Sequence, residues 1–82
     1  MTDHETIQRG HTAKRILDDP VFQEAARNAY DRIVAEWESA ETAEAREEAH
    51  ATLRGMKRFL TQFRGFLDDA DMAVHRQGQG QQ

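Results

Sequence analysis

Five apolar pairs in this chain share one arithmetic property: Phe22 with Leu60, Ala26 with Met56, Ala29 with Leu53, Ile33 with Ala49, and Trp37 with Ala45. The two residue numbers of each pair sum to 82. A chain folded back on itself near residue 41 as two antiparallel helices places every pair at the same level. Within most pairs a large side chain meets a small one, as interdigitated packing requires. The pattern specifies a helical hairpin, and nothing of comparable strength specifies an active site.

Eighty-two residues make a single small domain, and such a chain buries only about 60% of its unfolded surface. Its core is marginal without support from elsewhere. The absence of cysteine excludes a disulfide staple and thiolate metal ligands. No apolar run reaches membrane-spanning length, and the opening MTDHETIQRGH lacks the apolar core of a signal peptide. The expected location is therefore the cytoplasm. One proline, abundant alanine and many Glu and Arg residues point to an all-α protein. Fifteen acidic against eleven basic residues give a net charge of −4, ordinary for a soluble protein and no signature of a nucleic-acid binder.

Read along the chain, residues 1–6 look frayed and a first helix is expected over about 7–17, contributing Ile7, Ala13, Ile16 and Leu17. Gly10 weakens its first turn by about 1 kcal/mol relative to alanine. Asp18-Asp19-Pro20 ends that helix and starts the next, because Asp19 can cap and proline suits the first helical position. The second helix is expected over 20–39, with Val21, Phe22, Ala25, Ala26, Ala29, Tyr30, Ile33, Val34 and Trp37 on one broad face. The turn after Ser39 contains neither Gly nor Pro. Its evidence is a break in phase, with Thr42 and Glu44 as an acceptable helix start. A third helix over about 43–76 carries a heptad seam of Ala49, Leu53, Met56, Leu60, Phe63, Leu67, Ala70 and Val74.

The third helix exceeds the second by roughly fifteen residues, about 22 Å. That excess is expected to lie beside the first helix, giving a long hairpin with one arm broken at Pro20. Residues 1–76 then form one helical domain, and Gln77 to Gln82 a disordered Gln/Gly tail. Val21, Tyr30, Val34, Phe59, Phe63 and Phe66 broaden the apolar face beyond what one hairpin covers. They are the expected protein interface, and self-association into a homo-oligomer is the economical way to cover them.

The chemistry-bearing motifs are weak. Glu47-x-x-His50 has the spacing of carboxylate-bridged di-iron bundles, and the fold-back brings Glu36 close to Glu47. The site would lie at an exposed tip without enough inward carboxylates, so a solvated acidic face is the preferred reading. Asp68, Asp71 and His75 decorate a helix end, where a charged histidine is favoured. The only serine, Ser39, has no histidine placed to activate it, and there is no Gly-rich phosphate loop. No cofactor and no enzymatic activity are expected.

One electrostatic signal rises above background. Residues 49–67 contain no acid and carry Arg54, Lys57, Arg58 and Arg64, whereas residues 36–48 carry six glutamates and one arginine. The basic run could contact nucleic acid, although no stacking platform or recognition helix accompanies it. It could equally set the register between subunits, acidic tip against basic mid-section.

The stretch Arg9-Gly10-x-x-Ala13-x-x-Ile16-Leu17-x-Asp19-Pro20-x-Phe22-x-Glu24-Ala25, followed by Trp37 and Arg46-Glu47, resembles small helical proteins of tailed bacteriophages and prophages. In these the pattern RGxxAxxLLxDPxFxEA precedes a tryptophan and a long charged helix. The likeness spans about residues 9–70, and the Asp-Pro-x-Phe joint is its most specific element. The resemblance implies a gene among those for virion morphogenesis, a place in the host cytoplasm or the virion, and other phage proteins as partners. It implies no activity and no functional residues. The expected function is a non-enzymatic interaction and oligomerisation protein of phage assembly. Two alternatives are a packaging factor similar to the oligomerisation segment of small terminase subunits, and a small inhibitor seated in a host protein's groove.

Overall fold

The computed structural model describes residues 1–80, which are all-helical: α1 spans Asp3–Asp18, α2 Pro20–Ser39 and α3 Ala43–Gly80. The molecule is a slender body of 62 × 25 × 17 Å.

Asp19 makes the first joint. Its own N–H donates to the Ile16 carbonyl and closes α1, while its carboxylate accepts from the N–H groups of Val21 (2.8 Å) and Phe22 (3.0 Å) and opens α2. Pro20 occupies the first turn, where its missing N–H costs nothing. The Gln23 amide reaches back to the Leu17 carbonyl at 2.9 Å, tying the two helix ends together. At the second joint Thr42 begins α3: its hydroxyl accepts from the Ala45 N–H at 3.1 Å.

Two helices are longer than their apolar pattern predicts. Residues 1–6 are not frayed, because Thr2 and Glu5 form a reciprocal capping box. The Thr2 hydroxyl accepts from the Glu5 N–H, and the Glu5 carboxylate accepts from the Thr2 N–H, both at 3.1 Å. An ion pair between Asp3 and Arg76 at 2.9 Å joins that first turn to the far end of α3. Likewise α3 continues through Gln77–Gly80, where the sequence predicts a disordered tail, with the Gln79 amide 3.0 Å from the His75 ring one turn back. The remainder of that predicted tail, Gln81 and Gln82, lies outside the described residues.

Both α1 and α2 lie against α3, but on different faces of it. At about 100° per residue, Ala49, Leu53, Met56, Leu60 and Phe63 share one stripe of α3. Phe22 of α2 packs edge-on against Phe63 there, ring centroids 5.6 Å apart. The contact with α1 uses Phe66 and Ala70, which lie around α3 by roughly a quarter turn from that stripe. An atom built as Cβ on Gly10 would fall 2.2 Å from the Ala70 Cβ and 3.1 Å from the Phe66 carbonyl oxygen. Gly10 is therefore a point of close helix approach rather than merely a weak helix former. Ala73 is wholly buried, while Val74, which the heptad seam places inside, is half exposed. A strict heptad assumes one unbroken partner; the joint at Asp19 turns α1 onto another face, and the buried positions shift with it.

The same geometry sorts the five pairs. Phe22 and Leu60 line one cleft together with Ala26 and Met56, and Ile33 and Ala49 share another. Ala29 and Leu53 line no common cleft: Leu53 joins Ile33 and Ala49, while Ala29 is exposed. Trp37 and Ala45 likewise line different clefts, Trp37 going with Ala49 and His50, and Ala45 with Glu36 and Glu48. The arithmetic gives the level along the helices but not the side.

Two glycines with contrasting surroundings give substitutions of opposite sign. Gly10→Ala forces α1 away from α3 and is expected to cost about 1–3 kcal/mol, more than the helix propensity it gains. Gly55, which has nothing within 4 Å of a built Cβ, is expected to gain up to about 1 kcal/mol as alanine. Urea midpoints at matched protein concentration check both.

The capping box gives a pH dependence. Hydrogen bonds from the Thr2 backbone and then its side chain hold the Glu5 carboxyl below the usual glutamate range. Its stabilisation is complete above that usual range and disappears as pH falls through the lowered value. Amide exchange in the first turn of α1 should therefore accelerate in acid, and Thr2→Ala should accelerate it already at neutral pH.

Candidate functional site

A long apolar groove runs along one edge of the α2–α3 pair. Its tip end is a cleft of about 440 Å³ lined by Ile33, Val34 and Trp37 from α2 and by Ala49, His50 and Leu53 from α3. Adjoining it, Phe22, Ala26 and Tyr30 face Met56 and Leu60, with Leu17 of α1 closing the far end. From Phe22 to Trp37 the groove is about 22 Å long. Helical spacing explains it: Tyr30, Val34 and Trp37 recur at four and three, opposite Leu53, Met56 and Leu60 at three and four. Tyr30 is 44% exposed and Trp37 52%.

The residues expected to form a single interface do not share one surface. Tyr30 and Val34 lie in the groove. Phe63 is half buried between Phe22 and Phe59, the second ring at 5.4 Å and nearly perpendicular. Phe59 projects from the other edge of α3, 58% exposed, and Val21 is 72% exposed beside the first joint. Phe66 is already covered: the Arg9 guanidinium stacks 4.4 Å from its ring centre and donates to Asp69 at 3.3 Å. Sequence spacing alone does not single out Trp37, His50 and Leu53 as groove walls.

The basic residues are also spread. Helical rotation puts Lys57 and Arg64 on the side of α3 that carries Leu53 and Leu60, and Arg54 and Arg58 on its outer side; all four are exposed. Among the described residues none of the four joins an ion pair, the bridges being Arg9–Asp69, Lys14–Asp18, Arg32–Glu36 and Arg76–Asp3. Glu36 shares its cleft with Glu48 rather than with Glu47, which is turned away by one residue's rotation. Among the described residues no three His, Cys, Asp or Glu side chains gather as a metal ion would need. Among the described residues no helix is long and apolar enough to cross a membrane.

Comparison with protein-family models, with curated proteins and with solved structures gives no match.

The Arg9–Phe66 stack can be tested directly. Lysine keeps the charge but loses the flat face and the fork of donors. Arg9→Lys is expected to cost about 0.5–1 kcal/mol in stability, and Arg9→Ala more, because the aliphatic stem is lost as well. Thermal melts at one concentration check the order.

Proposed function

We propose that this chain is a non-enzymatic helical interaction protein that works by self-association, and that its setting is the structure or assembly of a phage particle. Its form is an antiparallel helical hairpin whose first arm is broken at Pro20. Contacts between residues early and late in the chain support that form: Asp3 with Arg76, Arg9 with Asp69, and Phe22 with Phe63.

The observation that carries self-association is the interior. Its buried apolar residues are four alanines and Ile33, and no large side chain is fully buried among the described residues. Burial of a full Leu, Phe or Met contributes about 1.5–3 kcal/mol, so a chain that leaves all of these partly wet forgoes its main source of stability. The surface confirms the shortfall in area: 6555 Å² is exposed, against roughly 5,000 Å² expected for a compact monomer of this mass. The phage setting rests on the resemblance across residues 9–70 and on its Asp-Pro-x-Phe joint.

Sedimentation or light scattering should give a mass of at least two chains at micromolar concentration. The melting temperature should rise with concentration, as it does when folding and association are linked. A single-chain mass at 100-fold higher concentration, with an unchanged melt, would overturn self-association. Detection of the protein by mass spectrometry in gradient-purified particles, or only in infected cells, decides between a virion component and an assembly factor.

A further inference from the structure

We propose that the groove between α2 and α3 is occupied by the same groove of a second copy, docked antiparallel, so that the acidic tip of each chain lies over the basic segment of the other. The proposal rests on the self-association argued above and specifies its surface, partner and direction.

Area comes first. The surplus surface of roughly 1,500 Å² is about twice the 800 Å² that each partner contributes to a standard interface. Among the described residues, the two successive clefts of the groove edge line up the largest run of apolar side chains. The opposite edge is interrupted, since the Arg9 guanidinium already stacks on Phe66 and the exposed Phe59 leans edge-on against Phe63. An isologous contact is self-complementary by construction: large side chains at the two ends and middle of one groove, Phe22, Tyr30 and Trp37, meet the same set reversed.

Charge then fixes the direction. The tip is acidic, with glutamates at 38, 41, 44 and 47 in addition to Glu36 and Glu48, which line a cleft on the other edge. At the groove's far half Arg27 is a lining residue, and helical rotation puts Lys57 and Arg64 on the same side of α3 as Leu53 and Leu60. Two copies docked in the same direction would set one acidic tip against the other. Docked in opposite directions about the groove's midpoint near Tyr30, the Glu38–Glu41 tip comes level with Arg64 of the second copy. Like charges then separate and unlike charges approach. The groove is lined mainly by apolar side chains and one end of it meets the acidic tip, which disfavours a nucleic-acid phosphate backbone as the occupant.

The test uses the full chain and two independent readouts. In sedimentation, Val34→Glu places a carboxylate in the groove and should weaken association by roughly a hundredfold or more. Phe59→Glu on the other edge should leave it within about threefold of the parent. Arg64→Glu should weaken it, and combining Arg64→Glu with Glu38→Arg and Glu41→Arg should restore it. Because the chain has no cysteine, direction can be read by cross-linking even if Val34→Glu does not fold. A Glu38→Cys chain mixed with an Arg64→Cys chain should give a disulfide-linked heterodimer on mild oxidation, and neither chain should link to itself. Self-linking of Glu38→Cys would overturn the antiparallel direction. An unchanged mass for folded Val34→Glu, with loss of association in Phe59→Glu, would overturn the groove while leaving self-association intact. A monomeric parent would overturn both.

Discussion

Asp19 and Pro20 control the rest of this structure, because the joint they form decides which face of α3 each of the other helices meets. An uninterrupted helix over residues 3–39 would follow one stripe of α3 from end to end. With the chain capped by Asp19 and restarted at Pro20, α1 is free to roll by about a quarter turn around α3. That roll brings Gly10 onto Ala70 and buries Ala73 at the expense of Val74. It also carries α1 toward the edge of α3 that holds Phe66 and away from the edge that holds Lys57 and Arg64. The open groove on the other edge is the consequence.

Small residues at the contacts set the character of the interior. Gly10 and Ala13 on α1 with Ala70 and Ala73 on α3 allow the backbones to come close, and Ala49 does the same beneath Ile33. Close approach gives many backbone and methyl contacts but removes little apolar area per residue. The large side chains of this chain therefore stand along the edges of the helix pair, where each is covered on one side only. The edge-to-face rings of Phe22, Phe63 and Phe59 are the partial exception, and even there Phe59 stays mostly in solvent.

Much of the helical framework is legible in the sequence for local reasons. The Asp19-Pro20 joint, the Thr42 start and the three helices follow from capping chemistry and apolar spacing. The Thr2-x-x-Glu5 box is equally local, yet apolar content is the wrong signal for residues 1–6, which fold by satisfying their own orphan N–H groups. What one-dimensional spacing does not carry is rotation. Ala29 and Leu53, or Trp37 and Ala45, stand at matching levels and still line no common cleft. The heptad that puts Val74 inside fails because its partner helix changes at the joint. For the candidate site, Tyr30 and Val34 are visible as surplus apolar residues. Grouping them with Phe59 and Phe66 requires a single face that α1 in fact divides.

The charge segregation has a physical consequence that the apolar contacts alone do not supply. Apolar grooves are poor at specifying direction, since a strip of Tyr, Val, Trp, Leu and Met side chains can slide or reverse at modest cost. Rows of like charge at one end and unlike charge at the other convert reversal into a repulsive contact while adding little to stability in the exposed state, where such pairs are worth about 0–1 kcal/mol each. Among the described residues, Lys57 and Arg64 join no ion pair, so on the proposed pairing their donors are available to a second molecule. Direction and adhesion are thereby assigned to different residues of the same edge, so reversing the charges should alter how copies align without removing the apolar surface that holds them.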